Sequence, residues 1–160
     1  MYKRALVPLD GSPLAEAVIP FVLAIAAPLG MAVSLLRVIE PVPHMAEVPS
    51  GIVAEALEAQ AHDAEEYLSR LATELRGRKI DANWEVRRGP AADTIVKAAA
   101  SMGADVIAMS THGRSGLGRL LFGSVAEQVL RHADVPVFLL RQTEERLAAA
   151  SPGATAPHRA

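Results

Sequence analysis

Apolar residues in this chain recur in two rhythms, short unbroken runs and stretches spaced three to four apart, and the two alternate from the first residues to about position 140. Ala5 to Leu9 is an apolar run that predicts a strand. Ser12 and Pro13 suit the cap and first turn of a helix, and Glu16 adds negative charge there. Leu14, Val18, Phe21, Val22 and Ile25 give that helix one apolar face as far as Pro28-Leu29-Gly30. Ala32 to Ile39 is nearly all apolar, as a strand covered on both faces should be, and Glu40-Pro41-Val42-Pro43 ends it. After a loop from His44 to Gly51, a long helix is predicted from Ile52 to Arg76. Ile52, Ala56, Ala59, Ala64, Tyr67, Leu68, Leu71 and Leu75 mark its buried side, and Gly77 is its C-terminal cap. Ala82, Trp84 and Val86 alternate with polar residues between Asp81 and Arg88, the period of an edge strand. Gly89-Pro90 opens a helix with Asp93 in its first turn and Ile95, Val96 and Ala99 toward the core. A fourth strand, Ala104 to Met109, a glycine-bearing loop, a helix from Val125 to His132 and a fifth strand, Val135 to Leu140, complete the pattern.

Strands alternating with helices predict an α/β fold: a doubly wound, five-stranded parallel sheet of Rossmann-like type with helices on both faces. With strand order 3-2-1-4-5 the winding reverses between the first and fourth strands, where such sheets bind ligands beyond the carboxyl ends. Asp10 and the loop beginning at Ser110 would meet there. No internal repeat or second domain is evident. The last stretch, Gln142 to Ala160, contains Ser-Pro-Gly-Ala-Thr-Ala-Pro and is expected to be a disordered tail.

Composition narrows the picture. The length of 160 residues suits one domain, and 51% hydrophobic but only 4% aromatic residues mean a core of Ala, Val, Leu and Ile. The net charge of -2, without a basic stripe, argues against nucleic acid as a partner. Absence of cysteine excludes disulfides and thiolate chemistry. The first apolar run is too short for a signal peptide or a membrane span, so the cytoplasm is the expected compartment and no membrane partner is expected.

The candidate chemistry lies in Ser110-Thr-His-Gly-Arg-Ser-Gly-Leu-Gly-Arg-Leu-Leu-Phe-Gly-Ser-Val-Ala-Glu127. A glycine-bearing loop leading into a helix presents bare N–H groups and the positive end of the helix dipole to an anion. Gly113 and Gly123 allow close backbone approach, and the Ser124 hydroxyl can donate to a phosphate oxygen. The plainer alternative is a capping box, Ser124 to Glu127, with Gly123 as its entry turn. Asp10 is equally an acceptor for ribose hydroxyls and an ordinary Asp-Gly turn residue. Arg114 and Arg119 add positive charge near the phosphate position, although surface arginines are usually solvated, and His112 lies in the same loop. The remaining histidines lack metal-site spacing, so no metal-binding residue is assigned. No P-loop, Gly-x-Gly-x-x-Gly, Gly-x-Ser-x-Gly or His-Glu-x-x-His pattern is present, and no nucleophile is paired with a general base, so no catalytic residue is assigned.

Together LVPLDGS, LLRVIEP, VRRGPAADTIV and GADVIAMSTHGRSGLGRLLFGSVAEQVLRHADVPVFLLR, in that order over residues 2 to 141, resemble the universal stress protein family. Its ATP-binding members carry Gly-x2-Gly-x9-Gly-Ser/Thr, matched here by Ser110-x2-Gly113-x9-Gly123-Ser124. The resemblance implies an adenine nucleotide alpha hydrolase-like fold. It implies adenosine contacts from Pro8, Leu9 and Asp10, with Asp10 on the ribose, and an adenine pocket bounded by Val38 and Met109. It further implies a phosphate cradle of Gly113, Gly123, Ser124 and Val125. Ser110 replaces the first glycine of the motif, where its small side chain either crowds the ribose or donates to it. By the same resemblance the chain is a homodimer through Val135 to Leu140. It binds ATP with Mg2+ held by the phosphates and acts as a regulator with at most slow hydrolysis. The alternatives are a nucleotide-free scaffold and an adenine-nucleotide hydrolase or transferase.

Overall fold

The computed structural model describes residues 2–41, 50–112 and 123–142. Its elements follow the predicted alternation: β1 Arg4–Pro8, α1 Pro13–Glu16, α2 Ile19–Leu29, β2 Ala32–Ile39, α3 Ser50–Gly77, β3 Ala82–Arg88, α4 Ala91–Ser101, β4 Val106–His112, α5 Ser124–His132 and β5 Val137–Gln142. The strands form one parallel sheet of order β3-β2-β1-β4-β5, as expected. On one face α2 and α3 bury Val18, Val22, Leu68, Ala72 and Leu75 against Ala5, Val7, Val33 and Leu35. On the other, α4 and α5 bury Ile95, Ala98, Ala99 and Val129 against Leu6, Leu36 and Ile107. Fully burying one such aliphatic side chain contributes about 1.5–3 kcal/mol. The two-sided burial explains why β1 and β2 read as largely apolar runs.

Several boundaries differ from the sequence expectation for local reasons. The single helix predicted after β1 is two, α1 and α2, broken at Ala17 and Val18. Pro20 lacks the N–H that would bond the Glu16 carbonyl, which weakens a continuous helix at this point. The break also reorients the apolar face. Val18, Val22 and Ala26 are buried, whereas Phe21 and Ile25 are each 43% exposed and do not join the core as predicted. The long helix, at 28 residues, spans about 42 Å, against about 26 Å for the longest strand. It therefore overshoots the sheet, leaving Ile52, Ala56 and Ala59 exposed and beginning core burial only at Ala64. Gly77 is its last helical residue rather than its cap. The left-handed position is taken by Lys79 at φ 63°, while the Ile80 N–H donates to the Leu75 carbonyl at 3.1 Å. Gly89 holds φ 144°, and a Cβ there would stand 2.7 Å from Thr94 Oγ1, so the turn from β3 into α4 requires glycine.

β4 extends through Ser110, Thr111 and His112, which pair with Leu140, Arg141 and Gln142 of β5. The residues expected to begin the loop are thus strand, and β5 continues through Gln142, which is buried. The rest of the predicted tail, residues 143–160, lies outside the described residues.

Candidate functional site

The site opens because β1 and β4 stop pairing before either strand ends. Their register covers Ala5↔Val106 and Leu6↔Ile107 only, while β1 stays with β2 to Pro8↔Leu36 and β4 stays with β5 to His112↔Gln142. The cause is in the chain. Arg4 directs its backbone toward β4, accepting from the Asp105 N–H at 3.0 Å, and Leu9 directs its N–H toward the Leu36 carbonyl at 2.8 Å. By alternation the next rung toward β4 falls on Pro8, which has no N–H to donate. The ladder ends there and the strands part at the point where the winding reverses.

The resulting cleft has a volume of about 340 Å3. Pro8, Leu9, Asp10, Val38, Met109, Ser110, Gly123, Ser124 and Val125 all line it, so the structure brings together every predicted site residue that falls among the described ones. Gly113, Arg114 and Arg119 lie outside the described residues, and His112 is in β4 with its side chain outside them. The apolar lining comes from Leu36 and Val38 of β2, Ala91 and Ile95 of α4 and Met109 of β4, with Glu40 beside them. The N-terminus of α5 also lines the cleft.

That terminus carries no capping side chain. Gly123 is the N-cap, and the first helical bond runs from the Glu127 N–H to the Gly123 carbonyl at 2.9 Å, which leaves the N–H groups of Ser124, Val125 and Ala126 without intrahelical acceptors. The capping-box alternative does not hold: Ser124 is the first helical residue rather than the cap, and the Glu127 side chain accepts from Arg131 at 2.7 Å. Thr111, buried at the end of β4, accepts the Gly123 N–H at 3.2 Å through its hydroxyl and ties the helix start to the strand. Gly123 itself has φ -64° and ψ 153°, a conformation open to any residue, and among the described residues a Cβ there would meet only Thr111 Oγ1, at 3.9 Å.

Asp10 takes the turn role, and it also lines the cleft. As a turn residue it accepts the Ser12 N–H at 2.9 Å, while Ser12 caps α1 by accepting the Ala15 N–H at 3.1 Å. Partial burial works against its ionisation, yet the Ser12 hydroxyl and amide and the Arg37 charge outweigh that effect and hold its carboxyl below the usual value. It is therefore a charged acceptor at the rim of the cleft.

Three contributors were not singled out in the sequence. Arg37 is the one charged residue within the apolar run of β2, and that contrast was the available signal. Its Nη1 is buried with no hydrogen-bond partner among the described residues, beside a second opening of about 540 Å3 that shares Asp10, Val38 and Glu40 with the first. Glu40 accepts the Ala91 N–H at 3.0 Å and so joins the end of β2 to the start of α4. Thr111 was legible only as a polar residue near a strand end. Ser110 was foreseen, and its Oγ is likewise buried without a partner among the described residues. Among the described residues no group of three His, Asp or Glu is placed to hold a metal ion, and no helix is long and apolar enough to cross a membrane.

Comparison with known proteins decides the family. The model of the universal stress protein family matches residues 1–141. The chain belongs to the universal stress protein family. Among its relatives, universal stress protein MJ0531 of Methanocaldococcus jannaschii is 30% identical over 148 residues, covering 91% of this chain and 85% of that protein. The solved structure of MJ0577 superimposes with a TM-score of 0.76 at 28% identity, covering 89% and 97% of the two chains. Universal stress proteins solved with cAMP and, from Arabidopsis thaliana, with AMP share the fold, with TM-scores of 0.57 and 0.66 at 20% and 14% identity over 88% and 90% of this chain.

Proposed function

We propose that this universal stress protein binds an adenine nucleotide, ATP in its leading form, in the cleft between β1 and β4. The observation that carries the reading is the make-up of that cleft. Its lining combines apolar residues, Leu36, Val38, Ile95 and Met109, suited to a base, with a helix terminus whose first N–H groups lack intrahelical acceptors and suit phosphate. Asp10 lines it too, as an ionised acceptor for ribose hydroxyls. Gly123 supports the same assignment. Its backbone conformation does not require glycine and a Cβ would have room among the described residues, which supports close approach of a ligand at this position. The buried, unpartnered Ser110 hydroxyl is a donor that a nucleotide oxygen would satisfy. Mg2+ is carried by the phosphates, and Gly113 and Arg114 complete the cradle.

The bound protein acts as a cytoplasmic, nucleotide-dependent regulator, with hydrolysis at most slow because the sequence pairs no nucleophile with a general base. It is a homodimer through its fifth strand. Freshly purified protein, denatured, is expected to release adenine nucleotide, and calorimetric titration with ATP and Mg2+ to give saturable binding. Gly123→Val should weaken that binding by about a hundredfold or more, since its branched side chain intrudes where phosphate approaches, while leaving thermal stability within about 1 kcal/mol. Unchanged affinity in the variant would place the phosphates elsewhere, and no binding at millimolar ATP would favour a nucleotide-free scaffold.

A further inference from the structure

α1 is a single turn of helix, Pro13–Glu16, isolated at both ends. Gly11 precedes it at φ 82°, and α2 starts afresh at Ile19. No residue of α1 is buried, and a helix this short does not hold its shape in water unaided. It nevertheless forms part of the cleft, because its N-cap Ser12 and its residues Leu14 and Ala15 line the opening. Ala15 also packs against the core, but it offers only one methyl group. Glu16 does not line the cleft. Its Oε1 accepts the Tyr67 hydroxyl of α3 at 2.8 Å, a partly buried bond between groups 51 residues apart in the chain. A hydrogen bond to a carboxylate is among the stronger kinds, and it outweighs a single methyl contact. Burial first, then the hydrogen bond to Glu16 and its charge, push the Tyr67 phenol above its ordinary value, so it stays a donor at neutral pH.

We infer that Tyr67 is a positioning residue for the cleft: through its hydrogen bond to Glu16 it fixes α1, and with α1 the surface that Ser12, Leu14 and Ala15 present to a ligand. Tyr67 is not itself among the residues that line the cleft, so its effect on a ligand passes through α1. The consequence for affinity rests on the nucleotide reading of the cleft, whereas the consequence for α1 stands without it.

The test combines amide hydrogen exchange with calorimetric titration of the full chain by ATP and Mg2+. Tyr67→Phe keeps the ring and removes only the hydroxyl. It is expected to speed exchange of the Glu16 and Ala17 amides, which bond the Ser12 and Pro13 carbonyls, by about tenfold, and to weaken ATP binding by about tenfold. Glu16→Gln retains an acceptor and should bind ATP within about threefold of the wild type, while Glu16→Ala should match Tyr67→Phe. Because the two groups act as one bond, the double variant Tyr67→Phe/Glu16→Ala should lose no more affinity than either single variant. Unchanged exchange at Glu16 and Ala17, unchanged affinity in Tyr67→Phe, or additive losses in the double variant would overturn the inference. Absence of ATP binding by the wild type would defeat the nucleotide reading alone, and exchange would still decide whether Tyr67 holds α1.

Discussion

Asp10 shows how a single side chain acquires its chemistry from neighbours distant in sequence. Its turn partner, Ser12, is two residues away, but the positive charge that helps keep it ionised is Arg37, from the next strand of the sheet. An aspartate titrates near about 3.9 in an unfolded chain, and Asp10 is held lower when folded. Its ionisation therefore contributes stability that is present above the unfolded value and is lost as pH falls through the folded one. Arg37→Met should move the Asp10 titration upward and reduce its share of the acid-induced loss of stability, a change readable by NMR of the aspartate carboxyl carbons. An Asp10 midpoint unmoved by the substitution would assign the effect to Ser12 alone. The sequence marked Asp10 through its place at the end of an apolar run. It gave little hold on Arg37, because a charged residue inside a strand pattern becomes meaningful only when the sheet places it beside another charge.

Elements were legible where one local rule acted without competition. β2 and α4 fall close to their expected limits, since continuous apolarity and a Gly-Pro entry turn leave few other structures open. Errors arose where two local signals conflicted. Apolar spacing argued for one helix after β1, yet the helix is broken where Pro20 leaves a bond unmade. At the end of α3 the presence of Gly77 suggested the cap, but the Leu75 to Ile80 hydrogen bond and burial of Ile80 place the left-handed residue at Lys79. A left-handed backbone costs a non-glycine residue roughly 1–2 kcal/mol, partly offset by the greater freedom of glycine in the unfolded chain. Lys79→Gly should accordingly stabilise the protein by about 0.5–1 kcal/mol in denaturant unfolding. A loss of stability would mean that the Lys79 side chain makes a contribution larger than the strain.

At the scale of the whole molecule the two faces of the sheet are unequally covered. α2 and α3 lie over β1, β2 and β3, and beyond α2 an apolar groove of about 300 Å3 runs to the edge strand, lined by Tyr2, Ile25, Val106, Pro136 and Phe138 among others. Ile25, Tyr2 and Phe138 are substantially exposed around it, and an uncovered apolar sheet edge calls for a partner. In the proposed homodimer a second copy pairs along β5 and covers this groove, Ile25 of α2 included. Phe138→Glu should weaken dimerisation by about thirtyfold or more while leaving the circular dichroism spectrum unchanged, as measured by light scattering across a concentration series. A wild type that is monomeric, or a variant that dimerises equally well, would remove β5 as the interface.

Local periodicity and turn chemistry determined, from the sequence alone, the alternation of strands and helices, because that follows from backbone geometry and burial. The strand order was the expectation for a doubly wound sheet, and most of the residues that gather at the switch point came from the family resemblance. Tertiary structure decided what depends on neighbours remote in the chain: the ionisation of Asp10 beside Arg37, the tie from Glu40 to α4, the exposed flank of α2 and the reach of β4 past β1. The cleft itself joins both kinds of cause. Pro8 is a single letter of sequence, yet its missing N–H opens a site only because the sheet sets β4 beside it.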